Sequence, residues 1–196
     1  QVKRSLGLIY AVNPFGADHE SSEHDPSYQG YPDRMAQIGL TDPQPGEVLN
    51  KEKINFALTT QYLYSCLSCL NVCNFVFGPS WQLYDPEELR QALQAVTGWE
   101  VKIPEMLKVG QRRLNLQRAF NAREGIGRDR DTLPSKLEKA LQGGKTDGVR
   151  FTAQELEEAK GIYYQLAGWD PETGYPLRET LEKLDMGLLA DEQPDW

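Results

Sequence analysis

The sequence has few cysteines, few histidines and no long hydrophobic run. Its three cysteines all lie between residues 66 and 73, and its two histidines are His19 and His24. A helix that crosses a bilayer needs about 20 consecutive apolar residues, and no part of the chain provides them. Three clustered thiols do not form the disulfide framework of a small secreted protein. We therefore expect no membrane partner and a location in the reducing cytoplasm.

The sequence also lacks an excess of basic residues. Its formal net charge is −8 over 196 residues, of which 39% are hydrophobic and 26% are charged. Nucleic-acid binding depends on Lys and Arg side chains that neutralise phosphates, so we expect no nucleic-acid partner. The chain opens in apolar sequence without a methionine and without the long apolar stretch of a signal peptide. These features lead us to expect a piece of a longer protein.

Alternating strand patterns are almost absent, and the chain divides into a loop-rich and a helical part. Residues 11–50 are rich in proline, glycine, aspartate and serine, which favour turns. After Asn50, which suits an N-cap, apolar periodicity is punctuated by capping residues and glycines. The predicted helices are 54–72, which is buried, and 85–98, 103–125, 133–144, 152–168 and 177–186. We predict an all-α fold, an irregular multi-helix domain at residues 50–196 with a loop-rich N-terminal arm at residues 1–49.

The segment SCLSCLNVCNF, residues 65–75, contains all three thiols. If one helix continues through it, Cys66, Cys69 and Cys73 have the spacing i, i+3 and i+7 and share a face. The thiols then form a packed stripe of small apolar groups, or a zinc site completed by a histidine. A [4Fe–4S] cluster would need a fourth thiolate. Residue types and spacing leave these interpretations open.

Five further segments carry a resemblance to a known family. They are YAVNPFGADH at 10–19, SCLNVCNF at 68–75, AVTGWEV at 95–101, GQRRLNLQRAFNAREGIGRDRDTLPSKL at 110–137 and ELEEAKGIYYQLAGWDPETGYPLRETLEKLDM at 155–186. In this order they resemble the C-terminal helical domain of the aldehyde:ferredoxin oxidoreductases, the tungsten- or molybdenum-pyranopterin enzymes of anaerobic microbes. The resemblance covers nearly the whole chain.

The resemblance implies a metal ligand in the cysteine segment. Cys73 matches the lone C-terminal cysteine that completes a [4Fe–4S] cluster in the family, whose other three ligands lie in an earlier domain. Cys66 and Cys69 match no ligand of the usual motif, so we expect both to be enclosed by their own domain as small apolar groups. We expect Cys73 at the C-terminal end of the buried helix, near the surface.

The resemblance also implies cofactor contacts just before Cys73. The family motif Asp-x-x-Gly-Leu-Cys matches residues 68–73, so Ser68, Asn71 and Val72 are the expected pterin-binding residues. Two of them depart from the motif. Ser68 replaces an aspartate and lacks the charge and second oxygen of a carboxylate. Asn71 replaces a glycine, and it brings a side chain to a position where the family backbone approaches the cofactor.

His19 matches the family histidine beside the metal and substrate, which implies a catalytic role. A side chain that titrates near neutrality can polarise the aldehyde oxygen or move a proton. His24, in the acidic run ESSEHDP, is expected at the surface.

The implied function is that of the C-terminal portion of an oxidoreductase that converts aldehydes to carboxylic acids. Its electrons would pass through the metal–pterin and the cluster to ferredoxin. The implied partners are the N-terminal domains of the same enzyme, ferredoxin and the aldehyde. The chain alone is expected to be inactive and to bind no cofactor. The alternatives are an inactive helical interaction module, which Ser68 and Asn71 favour, and a small zinc-binding protein that uses cysteine and histidine.

The segment from Lys108 to Arg130 is strongly basic, with a net charge of about +5. Arginines at this density can bind the phosphates of a pterin or attract an acidic ferredoxin. They can also form salt bridges within the protein. The second interpretation is favoured because the spacing distributes the arginines around the helix.

Overall fold

The computed structural model describes residues 2–191, and within this range it confirms the all-α prediction. Loops and three short 3-10 turns join nine α-helices there, and the strand-like pairings are two isolated bridges, Phe77 with Tyr84 and Trp169 with Pro176. The helices are α1 Arg4–Val12, α2 Ser27–Gly30, α3 Pro32–Gln37, α4 Lys51–Leu70, α5 Pro86–Thr97, α6 Ile103–Arg123, α7 Ala153–Ala167, α8 Arg178–Lys183 and α9 Gly187–Asp191. Helix α9 is not among the predicted helices.

The long helices begin at the capping residues that the sequence indicates. The Asn50 side chain accepts a hydrogen bond from the backbone N–H of Lys53 at 2.9 Å at the start of α4. Asp85 and Thr152 each form a capping box with the glutamate three residues later, at the starts of α5 and α7. Gly98 ends α5 and Gly168 ends α7, both in the left-handed conformation. These boundaries are local in sequence, and they are confirmed.

The core is organised around the buried helix α4. Helix α6 packs along it at very short range, because a Cβ atom on Gly110 would lie 1.8 Å from the backbone oxygen of Tyr62. Helix α7 packs against α4 from another side and contributes Tyr163 and Tyr164 to the largest apolar cluster. Trp169, directly after α7, belongs to the same cluster. The two long helices α6 and α7 thus hold α4 in place together with α1.

Helix α1 is not predicted by the sequence patterns. Leu8, Ile9 and Val12 are completely buried in the same cluster as α4 and α7. Nearly every residue of α1 is buried, so the alternation between a polar and an apolar face that identifies surface helices is missing. The first turn is capped from a distance, because the Asp25 carboxylate accepts hydrogen bonds from the backbone N–H groups of Ser5 and Leu6 at 2.9 and 3.2 Å.

The predicted helix at residues 133–144 is wrong. Only a 3-10 turn, Ser135–Glu138, forms there. The backbone N–H of Phe151 donates to the oxygen of Leu137, and Leu141 exchanges backbone hydrogen bonds with Val149 and Gly148. These long-range hydrogen bonds replace those of a helix and close the segment into a loop.

Most of the basic side chains around α6 form salt bridges within the chain. Arg118 is buried and donates two hydrogen bonds to the Asp131 carboxylate at 2.9 and 2.7 Å. Lys108 and Arg112 both contact Asp185. Arg128, in a 3-10 turn beyond α6, pairs with a glutamate of α7. The salt-bridge interpretation of this segment is confirmed.

No helix in residues 2–191 combines the length and the hydrophobicity that crossing a bilayer demands.

Candidate functional site

The C-terminal end of α4 determines where the cysteine segment leaves the core. The helix ends at Leu70, and Asn71 follows in the left-handed conformation with φ of 55°. The backbone N–H of Asn71 donates to the oxygen of Ser68, and that of Val72 donates to the oxygen of Leu67 at 3.2 Å. This is the hydrogen-bond pattern of a Schellman motif. The predicted helix 54–72 therefore exists, with bounds of 51–70, and the chain turns sharply before it reaches Cys73.

The three cysteines have different environments. Cys66 is buried beside Leu67, and burial raises the pKa of its thiol to about 12, with a smaller contribution from Cys69. Cys73 lies beyond the helix and is exposed, as expected for a ligand that faces another body. The expectation that Cys69 is enclosed is wrong. It is exposed although the next residue, Leu70, packs against the cluster that contains Cys66.

A hydrogen bond connects the Cys73 segment to the loop that carries His19. The Asn74 side-chain amide, directly after Cys73, donates to a carboxylate oxygen of Glu20 at 2.9 Å. The other carboxylate oxygen of Glu20 lies 3.0 Å from Nε2 of His19. His19 is exposed, and its backbone oxygen lies 3.3 Å from Nε2 of His24. The structure therefore links the predicted catalytic histidine and the predicted ligand through two intervening side chains.

A small cavity of about 180 Å³ lies between this loop, α4 and α6. Ser68 faces it from α4, Arg113 from α6, and Phe15, Asp18 and Glu20 from the N-terminal loop. The Arg113 guanidinium donates to the hydroxyl of Ser65 at 3.1 Å, on the same wall. Positively and negatively charged side chains therefore line the same cavity as Ser68.

Beneath this cavity lies a buried carboxylate that sequence reasoning missed. The Glu23 carboxylate accepts hydrogen bonds from the hydroxyl groups of Tyr64, Ser80 and Ser27 at 2.6, 2.7 and 3.0 Å and from the side-chain amide of Gln82 at 3.3 Å. Burial alone would raise the pKa of this carboxyl, but the hydrogen bonds outweigh it and hold the pKa below its ordinary value of 4.5. No local signal identifies Glu23, because its donors come from sequence positions up to 59 residues away.

The side chains at this site could supply one ligand to a metal cluster, but they do not form a complete metal site. Within residues 2–191, no group of three or more histidine, cysteine, aspartate or glutamate side chains is arranged to hold a metal ion. Cys73, like Cys69, has an exposed thiol, and it lies next to Asn74, whose side chain donates to Glu20. A [4Fe–4S] cluster takes four thiolates, so this chain can hold a corner of one only with ligands from elsewhere.

The three residues expected at the pterin differ in what they offer. Ser68 is exposed, and its hydroxyl donates to the backbone oxygen of Tyr64 at 3.1 Å, which leaves its lone pairs free to accept. The side chain of Asn71 is exposed. Val72 is half-buried against the cluster of Cys66, and its N–H is used in the helix end. These side chains fit a polar ligand that has N–H donors. The neutral Ser68 hydroxyl would bind such a ligand more weakly than a carboxylate would.

A protein-family model supplies the deciding comparison. The model described as aldehyde ferredoxin oxidoreductase, domains 2 & 3, matches residues 1–186. The chain belongs to the aldehyde ferredoxin oxidoreductase family. The resemblance drawn from the ordered sequence segments is confirmed, and it extends over nearly the whole chain.

Relatives of this aldehyde ferredoxin oxidoreductase chain are tungsten enzymes. The tungsten-containing aldehyde ferredoxin oxidoreductases of Pyrococcus furiosus and Thermococcus kodakarensis are each 31% identical to it over 182 residues. Each alignment covers 91% of this chain and 27% of the relative. The chain thus spans about a quarter of the length of these relatives.

A solved structure shares the fold. The active site complex BamBC of benzoyl coenzyme A reductase, in complex with 1,5 dienoyl-CoA, has a TM-score of 0.71 to this chain. The match covers 96% of this chain and 31% of that chain, at 17% sequence identity. At this identity the similarity establishes a common fold for the helical domain.

Proposed function

We propose that this chain is the C-terminal portion of an enzyme that oxidises aldehydes to carboxylic acids and passes the electrons to ferredoxin in the cytoplasm. The observation that carries the proposal is the exposed thiol of Cys73, which lies just beyond the end of a buried helix and next to Asn74, in a chain of this family. A thiol in this position is available to a cluster whose other ligands belong to the remainder of the enzyme. The N-terminal domains of the enzyme are therefore its first partner.

Oxidation of an aldehyde, with water as the source of the added oxygen, gives a carboxylic acid, two electrons and two protons. When bound, a tungsten- or molybdenum-pterin supplies the two-electron acceptor, and a [4Fe–4S] cluster carries the electrons onward. Ser68 and Asn71 are the side chains that would contact the pterin, and the backbone of Val72 would lie beside it. Cys73 would hold one corner of the cluster.

His19 is the residue that we propose for proton transfer. With its proton on Nε2, the ring donates to Glu20 and leaves Nδ1 as an acceptor. Glu20 is itself held by Asn74, so the orientation of the ring depends on the segment that carries the cluster ligand. A histidine with a carboxylate partner is suited to taking a proton that the oxidation releases.

Metal analysis and cysteine variants of the full-length enzyme test this function. Enzyme made anaerobically is expected to contain tungsten or molybdenum and about four irons. Cys73→Ala is expected to lower the iron content and the ferredoxin-linked oxidation of aldehydes, because an open corner exposes iron. Cys69→Ala is the matched control, because Cys69 is equally exposed four residues away, and it should leave the iron–sulfur spectrum unchanged.

Cys66→Ala separates packing from ligation. It removes a buried side chain and is expected to lower stability by about 1–2 kcal/mol while the spectrum remains. Loss of iron in Cys66→Ala or Cys69→Ala, with retention in Cys73→Ala, would show that the assigned ligand is wrong. Full-length protein with neither metal nor iron would instead support an inactive helical interaction module, the alternative that the neutral side chains of Ser68 and Asn71 favour.

A further inference from the structure

Helix α6 carries apolar side chains on the face that points away from its own core. Its inner face is formed by residues such as Met106, Gly110 and Leu114, which are buried. Leu116 and Phe120 nevertheless stand 53% and 55% exposed on the opposite side. A surface helix is normally polar on its outer face, and a helix that is apolar all round belongs to the interior of a larger body.

Four exposed residues of α6 and the half-buried Arg113 lie on one face of the helix. Positions 109, 113, 116, 120 and 123 follow the spacing of a single helical stripe, and the stripe reads Val109, Arg113, Leu116, Phe120 and Arg123. The Arg123 guanidinium lies 4.9 Å above the ring of Phe120. We call this stripe the outer α6 face. Contiguous exposed apolar surface of this kind marks an interaction site.

The outer α6 face continues into the candidate site. The side-chain amide of Asn121 donates to the backbone oxygen of Pro14 at 2.9 Å, which fixes the exposed Phe15 beside α6. Phe15 and Arg113 both line the cavity that contains Ser68. A body seated on this face would therefore also close the cavity.

We infer that the outer α6 face, with Phe15, is the surface on which the remainder of the same enzyme polypeptide docks. This inference rests on the proposed function, because it treats the chain as one portion of a longer enzyme. The chain spans 27% of the length of its relatives, so a large body connected to it is available to cover the face. A covalently connected body has a high effective concentration at this surface, which a separate partner lacks.

The charges on the outer α6 face indicate which types of side chain the docked surface should present. Arg113 forms no ion pair with any residue in 2–191, and its guanidinium donates a hydrogen bond to the neutral hydroxyl of Ser65. The docked surface is therefore expected to be apolar opposite Leu116 and Phe120 and to place a carboxylate near Arg113. An unpaired guanidinium at the edge of a buried interface would otherwise be costly.

Hydroxyl-radical footprinting of the full-length enzyme, read by mass spectrometry, tests this inference. The rate of oxidation of each side chain is compared with its rate in denatured enzyme. Leu116 and Phe120 are expected to react roughly tenfold more slowly in the native enzyme, since their exposure falls from about half to that of a core residue. Val96 and Trp99, exposed apolar residues at the end of α5, are the controls for access of the reagent.

Three results would overturn the inference. The first is labelling of Leu116 and Phe120 at the rate of Val96 and Trp99. The second is protection that disappears when the enzyme is diluted to a monomer, which would assign the face to a second copy. The third is protection that appears only after ferredoxin is added. Iron content is measured on the same sample: iron without protection rejects the docking surface alone, and protection without iron rejects the proposed function alone.

Discussion

Glu23 illustrates, at the scale of a single residue, how a charge is held in the interior without a cation. Four side chains donate to its carboxylate, and they come from α2, α4 and the turn after Cys73. The carboxylate therefore fastens the turn at residues 80–82 to the C-terminal half of α4. The buried carboxylate is thus one of the groups that position the Cys73 segment.

Glu23→Gln is expected to destabilise the chain by about 1–3 kcal/mol at neutral pH, because an amide cannot accept all of these hydrogen bonds. The folded-state pKa of Glu23 lies below its ordinary value of 4.5, so its contribution is complete above that pH. The contribution is lost as the pH falls through the folded-state pKa. Urea unfolding from pH 7 to pH 3 should show the difference in stability between the two proteins shrinking as the pH falls below 4.5. A constant difference over that range would contradict the role given to the charge.

Some residues of the site were predictable and others were not. The family resemblance singled out Cys73 and His19, and the structure connects their two segments through Glu20 and Asn74. Their roles remain predictions. Glu23 was unpredictable because its hydrogen-bond partners meet only after folding. The exposure of Cys69 was also unpredictable, because helical spacing places it on a face with Cys66 but does not identify which residues of other segments cover that face.

At the scale of helices, the crossing of α4 and α6 determines the geometry beneath the site. Gly110 brings the two backbones together, and nothing larger than a hydrogen fits between it and Tyr62. Gly161, in the middle of α7, provides the contrast, because a Cβ atom there would meet no other atom within 4 Å. The two glycines have opposite expected responses to the same substitution.

Gly110→Ala is expected to cost about 3 kcal/mol or more, because the added methyl group forces α4 and α6 apart. Gly161→Ala is expected to stabilise the chain by up to about 1 kcal/mol through helix propensity. Thermal unfolding followed by circular dichroism measures both. Equal effects of the two substitutions would mean that the close approach of α4 and α6 does not limit stability.

Helix boundaries were predictable where their signals are local. The caps of α4, α5 and α7 lie within three residues of the groups they satisfy. Helix α1 escaped prediction because its cap, Asp25, lies about twenty residues away and its sides are almost all apolar. The segment 133–144 has a helical pattern, but its backbone groups found partners near Val149 and Phe151 instead.

At the scale of the whole molecule, distant segments are joined by the Asp131 carboxylate. It accepts hydrogen bonds from the guanidinium of Arg118 on α6 and from the hydroxyl of Tyr164 on α7, while the backbone oxygen of Asp131 accepts from Lys160. Burial opposes the charge of Arg118, but the hydrogen bonds and the charge of Asp131 raise the pKa of its guanidinium above its ordinary value. Both charges of the Arg118–Asp131 pair are therefore buried, and each has the other as its counter-charge.

Asp131→Asn is expected to destabilise the chain by about 3–5 kcal/mol, because it leaves the Arg118 charge buried without its counter-charge. Asp129→Asn is the matched control two residues away, since Asp129 is exposed and its salt bridge within residues 2–191 is to the exposed Arg130. Urea unfolding at neutral pH should show a large loss for the first variant and little change for the second. Similar losses in both would mean that general surface charge, and not the buried pair, is responsible.

The glycine contact between α4 and α6 has a consequence for transplanting the cysteine segment into other proteins. Sliding α4 by one residue against α6 would rotate the end of the helix by about 100° and shift it by about 1.5 Å. The location of the Cys73 sulfur is therefore specified by Gly110, which lies outside the cysteine segment. If residues 65–75 were grafted onto another helical scaffold, the graft would contain the Cys73 thiol but would not place it in the same position. A successful graft would have to include both helices and the crossing that aligns them.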